Sequence, residues 1–333
     1  MLKSLKFHLY SCKSTRNLAP IPENPARRQS GTRQRWSGLA LVLTLLLTLL
    51  CGQFWSGPVT EAHGGGLKVA VVGSLPVSYE EYGSGIPILM LHGSPLDHYQ
   101  MVGDMEPIFK KRAGFRRIYP DLPGMGKTPG PAEITTQDQM MQVMVDFMQK
   151  VAPNQRYLVA GFSYGGYLAR GMVNKYGDRL AGVLLWAPLV ETDPARIHLP
   201  PRTVIVENPQ FIAALTPLEQ GIPLSFTVVQ SLGILKWLRA NFENGFISAD
   251  LAFLRKLAPA FSFPVDSLTT PFPGPSLVIT GRQDSVTGFR NAMAILDNFP
   301  RGTYALLDRS GHFLAYEQVD LFRSLTLEWL NRV

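Results

Sequence analysis

Tyr157-Leu158-Val159-Ala160-Gly161-Phe162-Ser163-Tyr164-Gly165-Gly166 is the most informative run in the 333-residue chain. Its first four residues, 157–160, are apolar and of strand length. Residues 164–176 follow with helical apolar spacing up to Gly177, whose residue type suits a helix C-cap. Ser163 therefore occupies a sharp strand-to-helix turn with a glycine two residues to either side. Such a turn imposes a strained backbone on the serine, and glycines at both flanks leave room for the bend and for an adjacent strand. The hydroxyl is lifted above the sheet, while the helix N-terminus aims unpaired N–H groups and partial positive charge at any negative charge that develops beside it.

Outward from this turn, residues 67–333 alternate short apolar runs with longer amphipathic ones. That alternation predicts an α/β fold with a mostly parallel central sheet flanked by helices. The expected strands are 67–72, 77–82, 86–91, 117–119, 157–160, 182–186, 276–280 and 303–307, several of them unbroken Val/Ile/Leu as buried parallel strands are. Expected helices include 136–151, 164–176, 288–298 and 319–331. From 191 to 265 the alternation stops, and a Pro-punctuated region rich in Phe, Leu and Trp reads as an inserted helical lid. The core is then 61–190 together with 266–333.

Leu91-His92-Gly93-Ser94-Pro95 closes the run 86–91, so its loop should leave the sheet at the same carboxyl edge as Ser163. The N–H of Ser94 is the natural second oxyanion donor, partnering that of Tyr164, since Pro95 has none to give. His92, at a strand end before glycine, is expected to hydrogen-bond its own loop. A general base is better sought in His312, which follows Gly311 directly after 303–307; His63 sits in a glycine hinge and His198 among the prolines of the insertion. The imidazole needs a carboxylate to fix its tautomer, and Asp284, right after 276–280, suits that role. Glu191 and Asp193, after 182–186, stand as reserve candidates.

Five segments in order, HGSP, DLPGMGKT, GFSYGGYLA, GRQD and SGH, resemble the α/β-hydrolase fold superfamily over roughly 67–333, with the insertion the least alike. The resemblance implies a nucleophile, acid, histidine order, which falls on Ser163, Asp284 and His312. A serine at the turn argues against epoxide hydrolases and haloalkane dehalogenases of this fold, which need aspartate there. The HG-x-P-L and GFS-x-GG wording is similar to small-ester hydrolases and cofactor-free perhydrolases. Ser-Tyr-Gly-Gly is similar to proline iminopeptidases, which carry HGGPG where this chain has HGSPL. The implied reaction is cleavage of a small-molecule ester or amide by a serine hydrolase without a cofactor. In an aminopeptidase, an insertion carboxylate such as Glu207, Glu219 or Glu243 would have to bind the amine. The fold can also serve as a non-catalytic binding module, but such relatives usually lose a triad residue, and all three are kept here.

A composition of 46% hydrophobic and 17% charged residues excludes a fibrous or wholly disordered chain. The net charge is +7, but residues 1–36 hold eight Lys/Arg against one acid, Glu23, so the basicity belongs to this tail and the remainder balances. Nucleic acid is therefore not an expected partner. Residues 36–60 are uncharged, and a helix over 36–55 would rise roughly 28 Å with Trp36 and Trp55 at its ends, which fits a membrane anchor. The alternatives are a cleaved signal peptide, whose apolar centre would be 39–51, and an organelle transit sequence. As anchor or signal, the segment makes the membrane a partner and sends the globular part out of the cytoplasm. The two cysteines, Cys12 and Cys51, precede that part and leave it no disulfide or thiolate metal site. No metal is expected.

Gly126-Lys127-Thr128 ends like a P-loop, yet Asp121 stands where the first glycine would be required. Met140, Met141, Met144 and Met148 lie at near-helical spacing and read as a packing stripe. The insertion's aromatics, Phe211, Phe226, Trp237, Phe242, Phe246, Phe253, Phe261 and Phe263, read mostly as its own core, with a minority lining an apolar pocket.

Overall fold

The computed structural model describes residues 66–333 except 194, 217, 218, 221–225, 259, 260, 262–264 and 269. The basic tail at 1–35, the apolar stretch at 36–60 and Phe263 lie outside the described residues. Among the described residues no helix is long and apolar enough to cross a membrane.

Eight strands form one sheet: β1 (Lys68–Val72), β2 (Leu75–Tyr82), β3 (Ile86–Leu91), β4 (Phe115–Pro120), β5 (Tyr157–Phe162), β6 (Leu180–Trp186), β7 (Ser276–Gly281) and β8 (Gly302–Leu307). Their spatial order is β1-β2-β4-β3-β5-β6-β7-β8. The β1–β2 and β2–β4 pairs are antiparallel, and every pair from β4 to β8 is parallel. Strand alternation shows why the central runs are apolar throughout. Leu89, Leu91, Val159, Val183, Leu185 and Val278 face one buried layer, while Ile88, Met90, Leu158, Ala160, Leu184, Trp186, Leu277 and Ile279 face the other.

Helices α1 (His98–Phe109) and α10 (Val319–Asn331) supply Met101, Met105, Ile108, Phe322 and Trp329 to the second layer. On the first layer lie α2 (Gln137–Val151) and α3 (Tyr164–Tyr176). The four methionines of α2 are buried there and do pack as a stripe. Thr136 and Gln139 close a capping box at its start. Between β6 and β7 the insert carries α4 (Pro209–Ala214), α5 (Leu232–Asn241), α6 (Glu243–Ser248) and α7 (Leu251–Leu257).

Local structure adds one helix, gives one helix end its own geometry and shortens another. Residues 98–109 form a helix beyond those named from the sequence, where buried His98, Gln100 and Asp104 and an internal Pro107 interrupt the apolar stripe. Gly177 is the C-cap of α3 as expected, in a right-handed conformation (φ −59°) that opens a 3-10 turn (Gly177–Arg179). The helix expected over 288–298 shrinks to α8 (Arg290–Ala294) and a 3-10 turn (Leu296–Asn298), since Gly288 takes φ +71°.

The supposed P-loop is a structural knot beneath the sheet's carboxyl edge. Asp121 accepts from His98 Nδ1 at 2.7 Å and from the backbone N–H groups of His98 and Lys127, both at 2.9 Å. Gly126 takes φ +55°, and a Cβ there would stand 2.3 Å from the Asp121 carboxyl carbon. Burial alone would lower the His98 pKa, but Asp121, Glu80 and Asp97 outweigh it and raise it to about 10. Asp121 is correspondingly held below the usual carboxylate range: burial opposes this, and the bonded, charged His98 prevails. Asp121→Asn should cost about 3–5 kcal/mol by leaving a buried partner uncompensated. A raised histidine pKa gives stability that is complete below its ordinary 6.5 and lost as pH rises through about 10. Urea denaturation of wild type and D121N should therefore show a gap that is widest at pH 6 and narrows towards pH 10.

Candidate active site

Ser163, Ser94, Asp284 and His312 come from four loops that all leave the carboxyl ends of parallel strands, following β5, β3, β7 and β8. At Ser163 the backbone takes φ 51°, ψ −114°, a left-handed conformation uncommon for a side-chain-bearing residue. The surroundings enforce it. The Ser163 N–H donates to Trp186 O at 3.2 Å, and its carbonyl accepts from Gly166 at 3.0 Å and Leu189 at 2.9 Å. A Cβ on Gly161 would lie 2.4 Å from Gly165 O, and one on Gly165 would lie 2.0 Å from Leu91 O. Glycine at both flanks is thus a demand of backbone contact.

The Ser163 hydroxyl meets His312 Nε2 at 3.1 Å, and His312 Nδ1 donates to Asp284 Oδ2 at 3.0 Å. Asp284 is fully buried and also accepts from Val286 N at 2.8 Å, Thr287 N at 3.1 Å and Thr287 Oγ1 at 2.8 Å. Burial alone would push its pKa up, but the imidazole, the Val286 N–H and the Thr287 hydroxyl outweigh this, so the carboxyl lies below its ordinary range. It stays ionised beside the imidazole. Glu191 and Asp193 are elsewhere occupied: Glu191 accepts from Thr192 N, Asp193 N and Arg196, and Asp193 pairs with Arg196.

His92 does what its position suggested. Its Nδ1 donates to Gly93 O at 2.8 Å and its Nε2 accepts from Leu122 N at 3.0 Å, while burial lowers its pKa to about 4. A neutral ring therefore shapes the 92–94 loop. A Cβ on Gly93 would come within 3.4 Å of Ser163 Cβ, so this loop lies directly against the serine side chain. Tyr164 begins α3, so its backbone N–H lies at the helix start beside Ser163, while its hydroxyl bonds Gln137.

Of the insert's aromatics, Phe226 stands 6.3 Å from the His312 ring, and Phe261 stands 6.3 Å from Tyr164 and 5.1 Å from Tyr167. Phe211, Trp237, Phe242 and Phe253 are buried in packing clusters, and Phe246 packs on Phe242. Two residues the sequence reading passed over touch the site's framework: Thr287, which bonds Asp284, and Glu317, which accepts from Gly311 N beside His312. Their signal was proximity alone, three residues after the acid and five after the histidine.

A chain with this arrangement can activate a hydroxyl against an electrophilic carbon and hold the anion that results. A profile described as "Alpha/beta hydrolase family" matches residues 88–324. The 2-hydroxy-6-oxo-6-(2'-aminophenyl)hexa-2,4-dienoic acid hydrolase of Metapseudomonas resinovorans is 24% identical over 286 residues, covering 78% of this chain and 89% of that protein. A pimeloyl-(acyl-carrier protein) methyl ester esterase of Legionella pneumophila (strain Corby) is 23% identical over 268 residues, or 77% and 99% of the two chains. The crystal structure of an alpha/beta superfamily hydrolase from Oenococcus oeni PSU-1 aligns with TM-score 0.72 at 26% identity, covering 80% of this chain and 98% of that one.

Gly165→Ala should be far more damaging than Ser163→Ala. Overpacking against the β3 backbone is expected to lower stability by about 1–3 kcal/mol or to prevent folding, whereas S163A removes only an oxygen. Urea midpoints of the two purified variants check this.

Proposed function

The chain belongs to the alpha/beta hydrolase family and is a hydrolase, and on that premise we propose that it cleaves a carboxylic ester of a small to medium apolar substrate through an acyl-enzyme. The observation that carries this reading is the unbroken line of hydrogen bonds from the Ser163 hydroxyl through His312 to buried Asp284. In the proposed reaction His312 takes the Ser163 proton as the oxygen attacks the ester carbonyl, and the N–H groups of Tyr164 and Ser94 hold the oxyanion. His312 then returns the proton to the departing alcohol. Water, activated in the same way, attacks the acyl-serine and releases the acid with Ser163 restored. Asp284 keeps the Nδ1–H tautomer and stabilises the imidazolium. Losing one oxyanion donor would cost about 3–4 kcal/mol of transition-state stabilisation.

We read the insert as the lid over this site, with Phe226 and Phe261 as the apolar walls, since each sits beside a residue assigned to the chemistry. The methyl ester esterase among the relatives supports an ester as substrate. The carboxylates needed by an aminopeptidase are engaged or solvated: Glu219 is paired to Arg239, Glu243 lies beside Glu219 with its pKa raised to about 7 by burial and by that neighbour, and Glu207 is exposed.

We further propose that residues 36–60 anchor the enzyme with its catalytic domain outside the cytoplasm, on the strength of the apolar stretch and the basic tail before it.

Ser163→Ala and His312→Ala should each lower turnover of p-nitrophenyl butyrate by about 10⁴-fold or more, and Asp284→Asn by about 10⁴-fold. A fluorophosphonate probe should label wild type and not S163A. Turnover of prolyl-naphthylamide with no ester activity would overturn the ester reading. Deleting residues 1–60 should move the protein from the carbonate-washed membrane pellet to the supernatant with esterase activity retained.

A further inference from the structure

The loop that carries His312 is not held by its own backbone alone. Glu317, at the end of α9 (Leu314–Glu317), turns its carboxylate back beneath it. One carboxylate oxygen accepts from Gly311 N at 2.6 Å, and the other accepts from Val228 N at 2.5 Å and Val229 N at 3.1 Å. The first donor precedes His312; the other two belong to the insert. We propose that Glu317 is a positioning residue that fastens residues 228–229 of the insert to the His312 loop, so that the lid and the catalytic imidazole are held in register as one unit.

The contacts around this carboxylate agree. The 228–229 segment is bound on its other side to residues 205–206, through Ile205 N to Val228 O at 2.8 Å and Gln230 N to Val206 O at 2.9 Å. A pull on this part of the insert is therefore shared between the Val206–Val229 bridge and the carboxylate. Gly311 permits the approach: a Cβ there would stand 2.8 Å from Val228 Cγ2 and 3.1 Å from Phe226 O. Phe226, two residues before the clasped amide, packs on both His312 and Phe313. The wall of the proposed pocket and the base thus hang from the same fastening.

The chemistry of the clasp requires two acceptor oxygens. A carboxylate can serve three N–H donors from opposite sides, whereas a glutamine has one oxygen and an NH₂ that faces an N–H without accepting. Hydrogen bonds to an ionised acceptor are the stronger kind, which suits a joint between two separate segments of the chain. Burial pushes the Glu317 carboxyl up to about 7 despite the three donors, so the charged form that makes the full clasp prevails above that pH.

This inference rests on His312 being the base of the proposed reaction. The test uses the full chain and p-nitrophenyl butyrate, with amide hydrogen exchange read by mass spectrometry. E317Q should lose about 10-fold or more in kcat with KM changed less than about threefold, as misplaced catalytic groups do. Exchange should rise in peptides spanning 226–230 and 310–313 and stay unchanged in β5 to β7. E317D, which keeps both oxygens, should recover part of the loss. V228P removes one donor without touching α9, and it should repeat the fall in kcat where V228A does not, which keeps the test open if E317Q fails to fold. Wild-type kcat in E317Q or V228P, or unchanged exchange in both peptides, overturns the clasp. Persistent turnover by S163A would instead overturn the reading of the reaction on which it rests.

Discussion

The strained turn at Ser163 is the constraint from which the remaining geometry follows. A serine held at φ 51° cannot relax while β3 presses on Gly165 and Trp186 O receives the serine N–H. Because these contacts are with the central strands, the hydroxyl inherits the rigidity of the sheet. The partners need only arrive at the same edge, and parallel strands make this certain: β7 and β8 end on the side where β5 ends. Strain at one residue is thus carried by the best-packed part of the molecule.

Charge is placed in the interior under a consistent rule. Asp284 and Asp121 are both buried, and each is surrounded by backbone N–H donors and one imidazole. The outcomes differ because the imidazoles do. His98 is enclosed by Asp121, Glu80 and Asp97 and is held charged, so that pair is structural. His312 turns its second nitrogen to the Ser163 hydroxyl. The same residue pair therefore serves as a rivet in one place and, by our proposal, as a proton relay in the other.

Much of this was legible in the sequence because backbone demands leave residue signatures. The glycines at 161 and 165 are legible since no other residue fits, and the apolar runs of β3, β5, β6 and β7 are legible since both faces of the sheet are covered. The juxtaposition of Ser163 and His312 was legible from strand ends, which also offered Asp284 as the acid with Glu191 and Asp193 in reserve. Helix α1 was not legible, because its buried His98, Gln100 and Asp104 serve the Asp121 knot and the core and so erase the expected stripe. Glu317 was equally silent: its partners at 228 and 229 are backbone amides some ninety positions away, and an amide donor has no letter in the sequence.

The two stems of the insert are fixed to the sheet, with Ala187 N donating to Ile279 O at 2.9 Å and Val183 N donating to Pro275 O at 3.0 Å. Between those stems the insert is tied to the core as well, since Leu189 N donates to Ser163 O at 2.9 Å and Asp266 pairs with Arg170 of α3. By our proposal, another insert in its place would bring a different substrate preference. Besides these contacts, it would have to present a pair of adjacent main-chain donors to the acid at 317, which makes a grafting rule out of a single carboxylate.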